Sequence, residues 1–480
     1  MTAVARLLQT HRPGSEPLRV LSASGQLGYG IPEAAFAGGM ARAPHFIGCD
    51  MGSIDPGPYY LGAGVMAAPV AMVRRDLELV LCAALDKGIP LIIGSAGTAG
   101  AKPHLDATLA IVHDIAREHG LRFRLATIAS DVSADRIAAA RDSGQLVSIG
   151  ASDLDGALGS GLPSPGDEEL RACSHIVGQC GSETFQRALA MQPDVLIAGR
   201  ACDTAIFAAL PEMLGYPSAL ALHMAKIVEC TSLCCRPGGR DAMLAEMTLE
   251  HFTLESMNPQ AHATPASVAA HALYEQADPF RVDEPTGTLL LHEAHYEAVD
   301  AHRTRVHGAR FAPRARPSLK VEGAARVGAR VVMLAGIADP TMLGILPQAL
   351  ETVEARVRGL VPGPWTLHPH IYGQGAVRPL PPAQRSAHEA GLVLEFIAPD
   401  AALARTAAGV FKQNLLHFGY PGRVSTAGNL AFAFTPSELD ANEAYRFVVY
   451  HVIQEAPLED IFKVAILEID GAAGERPERP

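Results

Sequence analysis

PLIIGSAGTAG, residues 90–100, joins an unbroken apolar run to a loop of small residues, and an amphipathic helical pattern follows from Asp106. QPDVLIAGRACD, residues 192–203, repeats this arrangement and leads into a helical stretch over 204–214. Parallel strands that are buried on both faces have such uninterrupted apolar runs. Repeated alternation of strand, loop and helix predicts an α/β fold, with a mainly parallel sheet wrapped by helices.

The same alternation extends on both sides of these two stretches. LRVLS at 18–22, PHFIGCDMG at 44–52 and LRFRLATIAS at 121–130 have the pattern of further strands. Helical patterns cover residues 70–87 and 134–142. We therefore expect the sheet to begin at residue 18.

The pattern changes at APRARPSL, residues 312–319, which is typical of a linker. Two strand–helix–strand patterns follow over 329–373 and 391–434, and strand candidates at 444–453 and 461–469 extend them. Two such units in tandem suggest a ferredoxin-like α+β domain. The expected organisation is an N-terminal α/β domain with the active-site cleft over 18–318, a smaller C-terminal ferredoxin-like domain over 319–470, and a flexible tail over 471–480.

Composition narrows the classes of function. Hydrophobic residues make up 48% of the 480 residues and charged residues 19%, which argues against disorder. The formal net charge is −12 and no dense Lys/Arg run is present. Nucleic-acid binding usually needs a basic patch, so we expect no nucleic-acid partner.

The N-terminal sequence and the cysteine content predict a cytoplasmic protein without a membrane partner. The N-terminus lacks the apolar core of a signal peptide, and no apolar run is long enough to span a bilayer. Eight cysteines at irregular spacing in this context are expected to be reduced thiols.

Several strings, in their order along the chain, narrow the α/β class further. GRACDTAIFAAL at 199–210 has a Gly-Arg-x-x-Asp turn before an apolar helix, and LHMAKIVEC at 222–230 ends a helix in Glu-Cys. LYEQADP at 273–279 and RTRVHGARF at 303–311 follow. Together they resemble the acyclic terpene utilisation (AtuA) family over roughly residues 18 to 470.

The resemblance implies a ferredoxin-fold C-terminal part and a link, by the family's name, to degradation of branched, terpene-derived acids. It does not imply a particular reaction. ECTSLCCRPGG at 229–239 and DMGSIDPGPYYLGAG at 50–64 depart from the usual pattern of the family, which would place the chain in a divergent branch.

The loop at 50–64 concentrates polar residues after the second strand. Asp50 and Asp55 are candidates for a general acid/base pair or for ligands of a divalent metal ion such as Mg²⁺, and Ser53 is a candidate substrate-binding residue. Ligands of open α/β sheets bind outside the carboxyl ends of the strands, where this loop is expected. The alternative is a Pro/Gly turn whose Asp side chains cap the backbone.

The loop at 94–104 is rich in small residues, and a helix follows it. Ser95, Gly97 and Thr98 are candidates for binding an anionic group through backbone N–H groups and the helix N-terminus. The alternative is close packing of helix against strand, which small residues permit. The loop has neither a Walker A nor a G-x-G-x-x-G pattern, so no ATP or NAD motif is present.

The turn at 199–203 also follows an apolar strand. Arg200 could bind a substrate carboxylate through two parallel hydrogen bonds, and Asp203 could position that arginine. A structural Arg–Asp pair that fastens the loop is the alternative. Because parallel strands end at one edge of a sheet, we expect this turn and the two preceding loops to line a single cleft.

The helix ending near residue 230 adds two catalytic candidates. Helical spacing places His223, Lys226 and Cys230 on one face, with Glu229 beside Cys230 as a reserve acid/base. Cys230 is a candidate nucleophile, although a buried thiol is the commoner role of a free cysteine.

Two further groups could bind metal, and neither is a complete site. The cysteines in ECTSLCC lack a C-x-x-C pair. His368 and His370 lie two residues apart and share one face of a strand, but two ligands do not make a metal site.

The preferred interpretation is an enzyme of small or branched carboxylic acid or acyl thioester catabolism, of lyase, hydratase or isomerase type and without a redox cofactor. One alternative is metal-assisted hydrolysis of an amide or lactone by the same carboxylates, which leaves a divalent metal ion open as cofactor. Another is a non-catalytic partner subunit of a degradation-pathway enzyme. In each case the partners expected are a small anionic molecule and further copies of the chain.

Overall fold

The computed structural model describes residues 1–149, 161–274, 276–384, 387–423 and 429–471. The chain forms two compact units, the first from Met1–Ala325 with Phe447–Pro480 and the second from Arg326–Arg446. Nearly all of the expected tail over 471–480 lies outside the described residues. In the described part of the chain, no helix combines the length and apolarity needed to cross a membrane.

The strands are β1 (Leu18–Ser24), β2 (Phe46–Asp50), β3 (Leu91–Gly94), β4 (Arg122–Ala129), β5 (Leu146–Ser148), β6 (Cys173–Gly178), β7 (Val195–Ala198), β8 (Met243–Met247), β9 (Phe252–Ser256), β10 (Arg281–Glu284), β11 (Gly287–Leu290), β12 (His295–Ala298), β13 (Arg303–His307), β14 (Arg310–Pro313), β15 (Leu319–Ile337), β16 (Thr366–Tyr372), β17 (Ala390–Ala398), β18 (Glu438–Ile453) and β19 (Lys463–Asp470).

The helices are α1 (Ala3–Thr10), α2 (Glu33–Ala41), α3 (Pro58–Ala63), α4 (Val70–Lys87), α5 (Lys102–His119), α6 (Ala134–Asp142), α7 (Asp167–Ala172), α8 (Ser182–Leu189), α9 (Asp203–Leu214), α10 (Ser218–Val228), α11 (Pro265–Ala272), α12 (Pro340–Leu360), α13 (Ala401–Leu416) and α14 (Leu458–Ile461), with short 3₁₀ helices at Thr231–Cys234 and Pro382–Gln384.

A ten-stranded sheet in the first unit has the strand order β12-β13-β9-β8-β1-β2-β3-β7-β4-β19. Five adjacent strands, β1, β2, β3, β7 and β4, are parallel to one another. Every residue of β3 and β7 is buried, as their apolar sequences predict. Helices α4, α6 and α9 lie where their sequence patterns predict them, so the α/β class is confirmed.

The prediction of a mainly parallel sheet is wrong, because the sheet is mixed. Strands β8, β9, β13 and β12 join antiparallel beyond β1, and β19 joins antiparallel beyond β4. For two of these antiparallel pairs, β8–β9 and β12–β13, the physical reason is the short connection between the strands. Only four residues separate β8 from β9 and four separate β12 from β13, which suits antiparallel hairpins, whereas a parallel crossover needs a dozen residues or more.

The second unit has the element order β15-α12-β16-β17-α13-β18, and its strands lie in the order β16-β17-β15-β18. Its core contains Trp365, Phe396 and Phe411 together with the apolar faces of α12 and α13. The boundary between the units falls within β15 and again within β18.

Two strands near the C-terminus differ from the sequence prediction. Residues 429–434 form no strand and make only a bridge from Ala431 to Gly336, and β18 is the fourth strand of the second unit instead. Strand β19 pairs along its whole length with β4 and therefore belongs to the first unit. For this reason the compact units do not coincide with the expected division into 18–318 and 319–470.

Candidate active site

The loops that follow β2, β3 and β7 meet at one edge of the large sheet, because these strands are parallel neighbours. The Met51 N–H donates to the Gly94 carbonyl at 3.1 Å, and the Ser95 N–H donates to the Gly199 carbonyl at 2.9 Å. These contacts tie the three chain segments together. The loops at 50–64, 94–104 and 199–203 are thus adjacent, as the strand order requires.

The loop after β3 is buried from Gly94 to Gly100. Its N–H groups largely bind other protein groups: the Gly97 N–H donates to Met51 Sδ at 3.2 Å, and the Gly100 N–H donates to the Ala96 carbonyl at 3.1 Å. The Thr98 Oγ1 accepts from the Ala67 N–H at 2.9 Å. This arrangement agrees with the structural alternative for the loop, in which small residues permit close packing of helix against strand. Anion binding by Ser95, Gly97 and Thr98 stays a prediction.

Arg200 lies at the centre of the edge and is 4% exposed. Its Nε donates to Glu322 Oε2 at 2.8 Å, and its Nη2 lies 3.4 Å from Glu322 Oε1. Its Nη1 donates to Ser95 Oγ at 3.1 Å and lies 3.9 Å from Asp203 Oδ1. The guanidinium is therefore held by protein groups, and its closest carboxylate is Glu322.

Glu322 is fully buried and is surrounded by donors. Gln179 Nε2 donates to its carboxylate at 2.8 Å, and the Lys320 ammonium lies 3.4 Å away. Burial alone would raise the pKa of Glu322, but Arg200 and Lys320 hold it below its ordinary value. Glu322 is consequently an ionised anchor for two cations.

Asp50 and Asp203 each have a buried Oδ1 that accepts no hydrogen bond within the described residues. Burial raises the pKa of Asp50 well above its ordinary value, the Asp203 carboxylate raises it further, and Arg200 opposes the shift. The Asp203 side chain as a whole is 36% exposed. Burial of its carboxyl raises the pKa of Asp203 as well, against the opposing charges of Arg200 and Lys226.

Glu229 follows the last residue of α10 and pairs with Lys226 one turn earlier. Lys226 Nζ lies 2.7 Å from Glu229 Oε1, and both side chains are buried. The ammonium also lies 4.7 Å from the centre of the Tyr274 ring. Burial raises the pKa of Glu229 to about 8, with Lys226 opposing the shift and Asp203 adding to it. Asp50, Asp203 and Glu229 are thus electrostatically linked.

The same edge carries a further buried acid, Glu284, whose Oε1 accepts from Thr204 Oγ1 at 2.8 Å. Burial raises the pKa of Glu284 to about 8, and Thr204 opposes the shift. Thr204 is the second residue of α9, directly after Asp203. The cluster of carboxylates therefore extends along the start of this helix.

Two candidates from the loop at 50–64 have simple local geometry. Ser53 Oγ accepts from the Asp55 N–H at 3.1 Å, a local turn contact. Asp55 is exposed, and its negative charge raises the pKa of Asp203. Asp55 thus borders the cluster, while Ser53 serves the turn.

Cys230 lies beside Glu229 with its Sγ 3.5 Å from the Tyr274 hydroxyl. Burial raises the pKa of the Cys230 thiol to about 12, which disfavours the thiolate that a nucleophile needs.

The eight cysteines form no disulfide bond within the described residues. Cys235 contacts Met243 Sδ at 3.6 Å in the core.

One group in the described part of the chain brings three possible metal ligands within 4.8 Å of one another: His11, Glu16 and His45. The Arg19 N–H donates to His45 Nδ1 at 2.9 Å, so the proton of the neutral ring is on Nε2, the nitrogen that faces Glu16. A proton there opposes metal binding. His368 and His370 lie on β16 of the second unit and do not belong to this group.

Glu322, Lys320 and Glu284 are not among the residues that the sequence patterns predict for the site, and Lys226 and Glu229 are not predicted as a pair. A signal for the first two was present, since Lys320 and Glu322 lie two positions apart, and so on one face, in the largely apolar LKVEGAA at 319–325. For the pair on α10, the i,i+3 spacing was the available signal.

Fold and site together define an α/β protein with a buried cluster of interacting carboxylates and cations at the carboxyl edge of its parallel strands. The model of the acyclic terpene utilisation family protein AtuA matches residues 71–235 and 254–446. The chain therefore belongs to this family, which implies a role in acyclic terpene utilisation. No curated protein and no solved structure matches the chain significantly.

Proposed function

We propose that the chain is an enzyme that transfers protons to and from a small or branched carboxylic acid or its thioester, as a lyase, hydratase or isomerase. The observation that carries the proposal is Glu229, a buried carboxyl whose pKa is raised to about 8 beside the carboxyls of Asp203 and Asp50. A general acid or base is most effective when its pKa lies near the working pH. Clustered, perturbed carboxyls at a strand edge favour a catalytic role.

The cluster suggests a division of labour between two carboxyls. Burial raises the pKa of both Asp203 and Glu229, and Lys226 opposes both shifts. Asp203 has the additional cations Arg200 and Lys320, which favour its ionised form, whereas the pKa of Glu229 is raised to about 8. The Asp203 carboxylate would take a proton from the carbon next to the carboxyl or acyl carbonyl. Protonated Glu229 would give a proton to the γ carbon of a β,γ-unsaturated substrate, which moves the double bond to the α,β position, or to a departing β-hydroxyl, which leaves as water. Asp50, whose pKa is also raised, would stay protonated as a further proton donor of the cluster.

The role of Arg200 in this proposal differs from that of a direct carboxylate clamp. Its Nε and one Nη are engaged by Glu322, so it would instead set the charge around Asp203 and Asp50. Metal-assisted hydrolysis has less support. Within the described residues, the group that brings three possible ligand atoms together is His11, Glu16 and His45, and the carboxylates of the cluster are not part of it.

For the second unit we propose a ferredoxin-like domain. The order β-α-β-β-α-β and the strand order β18-β15-β17-β16 support this assignment. A solved structure of the unit in which β16 lies next to β18 would overturn it.

The test is proton exchange with solvent. The protein is incubated in D₂O with 3-methylbut-2-enoate, 3-methylbutanoate and their coenzyme A thioesters, and deuterium in the recovered acids is measured by mass spectrometry. Glu229→Gln and Asp203→Asn are each expected to slow exchange by about 10²-fold or more. Glu250→Gln, at an exposed carboxyl of the same unit, is the matched control and should exchange like the natural protein.

The pH profile separates a catalytic from a structural role of Glu229. As an acid, Glu229 must be protonated, so exchange should fall as the pH rises through about 8, and Glu229→Gln should remove that limb. Exchange that persists in both Glu229→Gln and Asp203→Asn, or its absence with every acid and thioester tested, would refute the proposal.

A further inference from the structure

A cavity of about 280 Å³ opens between the loop after β1 and the segment after α10. Its volume lies just below the range for small-molecule sites, roughly 300–1,000 Å³, which suits a small ligand. The lining side chains include Gln26, Ile31, Cys230, Thr231, Leu233 and Arg240. Leu233 is 55% exposed, so an apolar side chain at this cavity faces solvent when the cavity is empty.

Arg240 is the one charged residue among those that line the cavity. Its Nη2 donates to the neutral Gln26 Oε1 at 3.1 Å, and its guanidinium lies 5.5 Å from the centre of the Tyr29 ring. In the described ranges, no carboxylate forms an ion pair with it. In a chain of net charge −12, a cation without a carboxylate partner at a cavity favours an anionic ligand.

The cavity adjoins the backbone of the carboxylate cluster. A Cβ on Gly25 would lie 2.6 Å from the Glu229 carbonyl oxygen, so the two segments are in van der Waals contact. The Leu27 N–H donates to the Asp50 carbonyl at 2.9 Å. Cys230, which lines the cavity, is the residue next to Glu229. The cavity therefore adjoins the backbone of Glu229 and of Asp50.

We propose that this cavity binds the substrate and that Arg240 holds its carboxylate, an inference that rests on the function proposed above. The guanidinium binds the carboxylate through two hydrogen bonds while remaining over Tyr29. A short hydrocarbon part then packs against Ile31 and Leu233, which removes apolar surface from water. The ligand class is a small monocarboxylate with a short hydrocarbon part.

Calorimetric titration with 3-methylbutanoate and 3-methylbut-2-enoate tests this site, with the uncharged 3-methylbutanamide as comparison ligand. Arg240→Gln should raise the Kd of both acids by about tenfold to a hundredfold and leave that of the amide unchanged, because a charge-assisted contact is lost. Arg240→Lys should lie between. Arg236→Gln, an exposed arginine in the same segment that does not line the cavity, is the matched control.

The outcome separates this site from the proposed function. Equal Kd values of the acids for Arg240→Gln and the natural protein overturn the site, even where Glu229→Gln abolishes exchange. Failure of the natural protein to bind either acid overturns it too. Conversely, lost binding in Arg240→Gln together with normal exchange in Glu229→Gln and Asp203→Asn supports the site and refutes the proton-transfer function.

Discussion

The guanidinium of Arg200 and the carboxylate of Glu322 are both almost completely removed from water. An isolated charge in such a place would be very unfavourable, and pairing with full hydrogen bonding compensates for the lost hydration. Glu322 also accepts a hydrogen bond from Gln179 and lies near the Lys320 ammonium, so its carboxylate has several polar partners. The pair holds the loop after β7 to the start of β15.

Breaking this pair should be costly. Arg200→Ala leaves the Glu322 carboxylate buried with only Lys320 as a countercharge, and we expect a loss of about 3–5 kcal/mol in the free energy of unfolding. Urea denaturation measures it. Arg310→Ala, which removes an exposed ion pair with Glu293, should lose no more than about 1 kcal/mol. A loss as small as that for Arg200→Ala would show that the pair contributes little to stability.

The sequence predicts that Arg200 binds a substrate carboxylate or pairs with Asp203, whereas its closest carboxylate in the structure is Glu322. The sequence places Arg200, Ser95 and Asp203 at strand ends, and the structure brings them together. The sequence alone does not indicate that Glu322 lies beside Arg200, because the two residues are 122 positions apart in the chain and only the tertiary fold makes them neighbours. Local pattern predicts which loops share an edge, but not which charges pair across it.

At the scale of elements, helices and buried parallel strands follow from periodicity and apolar runs, and α4 and α6 have the predicted bounds. The antiparallel strands are harder to predict. β19 has a strand-like sequence, yet no local sequence pattern indicates that it pairs with β4, more than 300 residues earlier. Strand pairing over such a separation depends on the assembled sheet.

The contact between the loops after β3 and β7 depends on Gly100. Its φ is +67°, and a Cβ there would lie 2.0 Å from the Arg200 nitrogen. Gly120 has a similar φ of +61° at the end of α5, with nothing within 4 Å of a Cβ. Gly120→Ala should therefore cost only the strain of a left-handed backbone, about 1–2 kcal/mol.

Gly100→Ala should cost the same strain and, in addition, about 1–3 kcal/mol for the displaced backbone. The difference between the two unfolding midpoints in urea isolates this contact. Because the displaced loop carries Ser95 and abuts Arg200, deuterium exchange should also slow in Gly100→Ala and stay unchanged in Gly120→Ala. Equal midpoints for the two variants would contradict the close approach.

The whole molecule has separate hydrophobic cores in its two compact units, and its natural probes are divided between them. All eight cysteines lie in the first unit, and the one tryptophan, Trp365, lies in the core of the second. Thiol reactivity therefore reports unfolding of the first unit, and tryptophan fluorescence reports unfolding of the second.

A chain ending at Phe462 lacks β19, which pairs with β4 over eight residues and buries Ile469. Its loss exposes the edge of β4 and the apolar surface beneath, so thiol reactivity should rise at a lower urea concentration than in the full chain. Trp365 fluorescence should keep its midpoint, since the second unit loses none of its residues. A chain ending at Gly471 keeps β19 and is the control. If both probes shift together, the last strand stabilises the second unit too, and its assignment to the first unit alone fails.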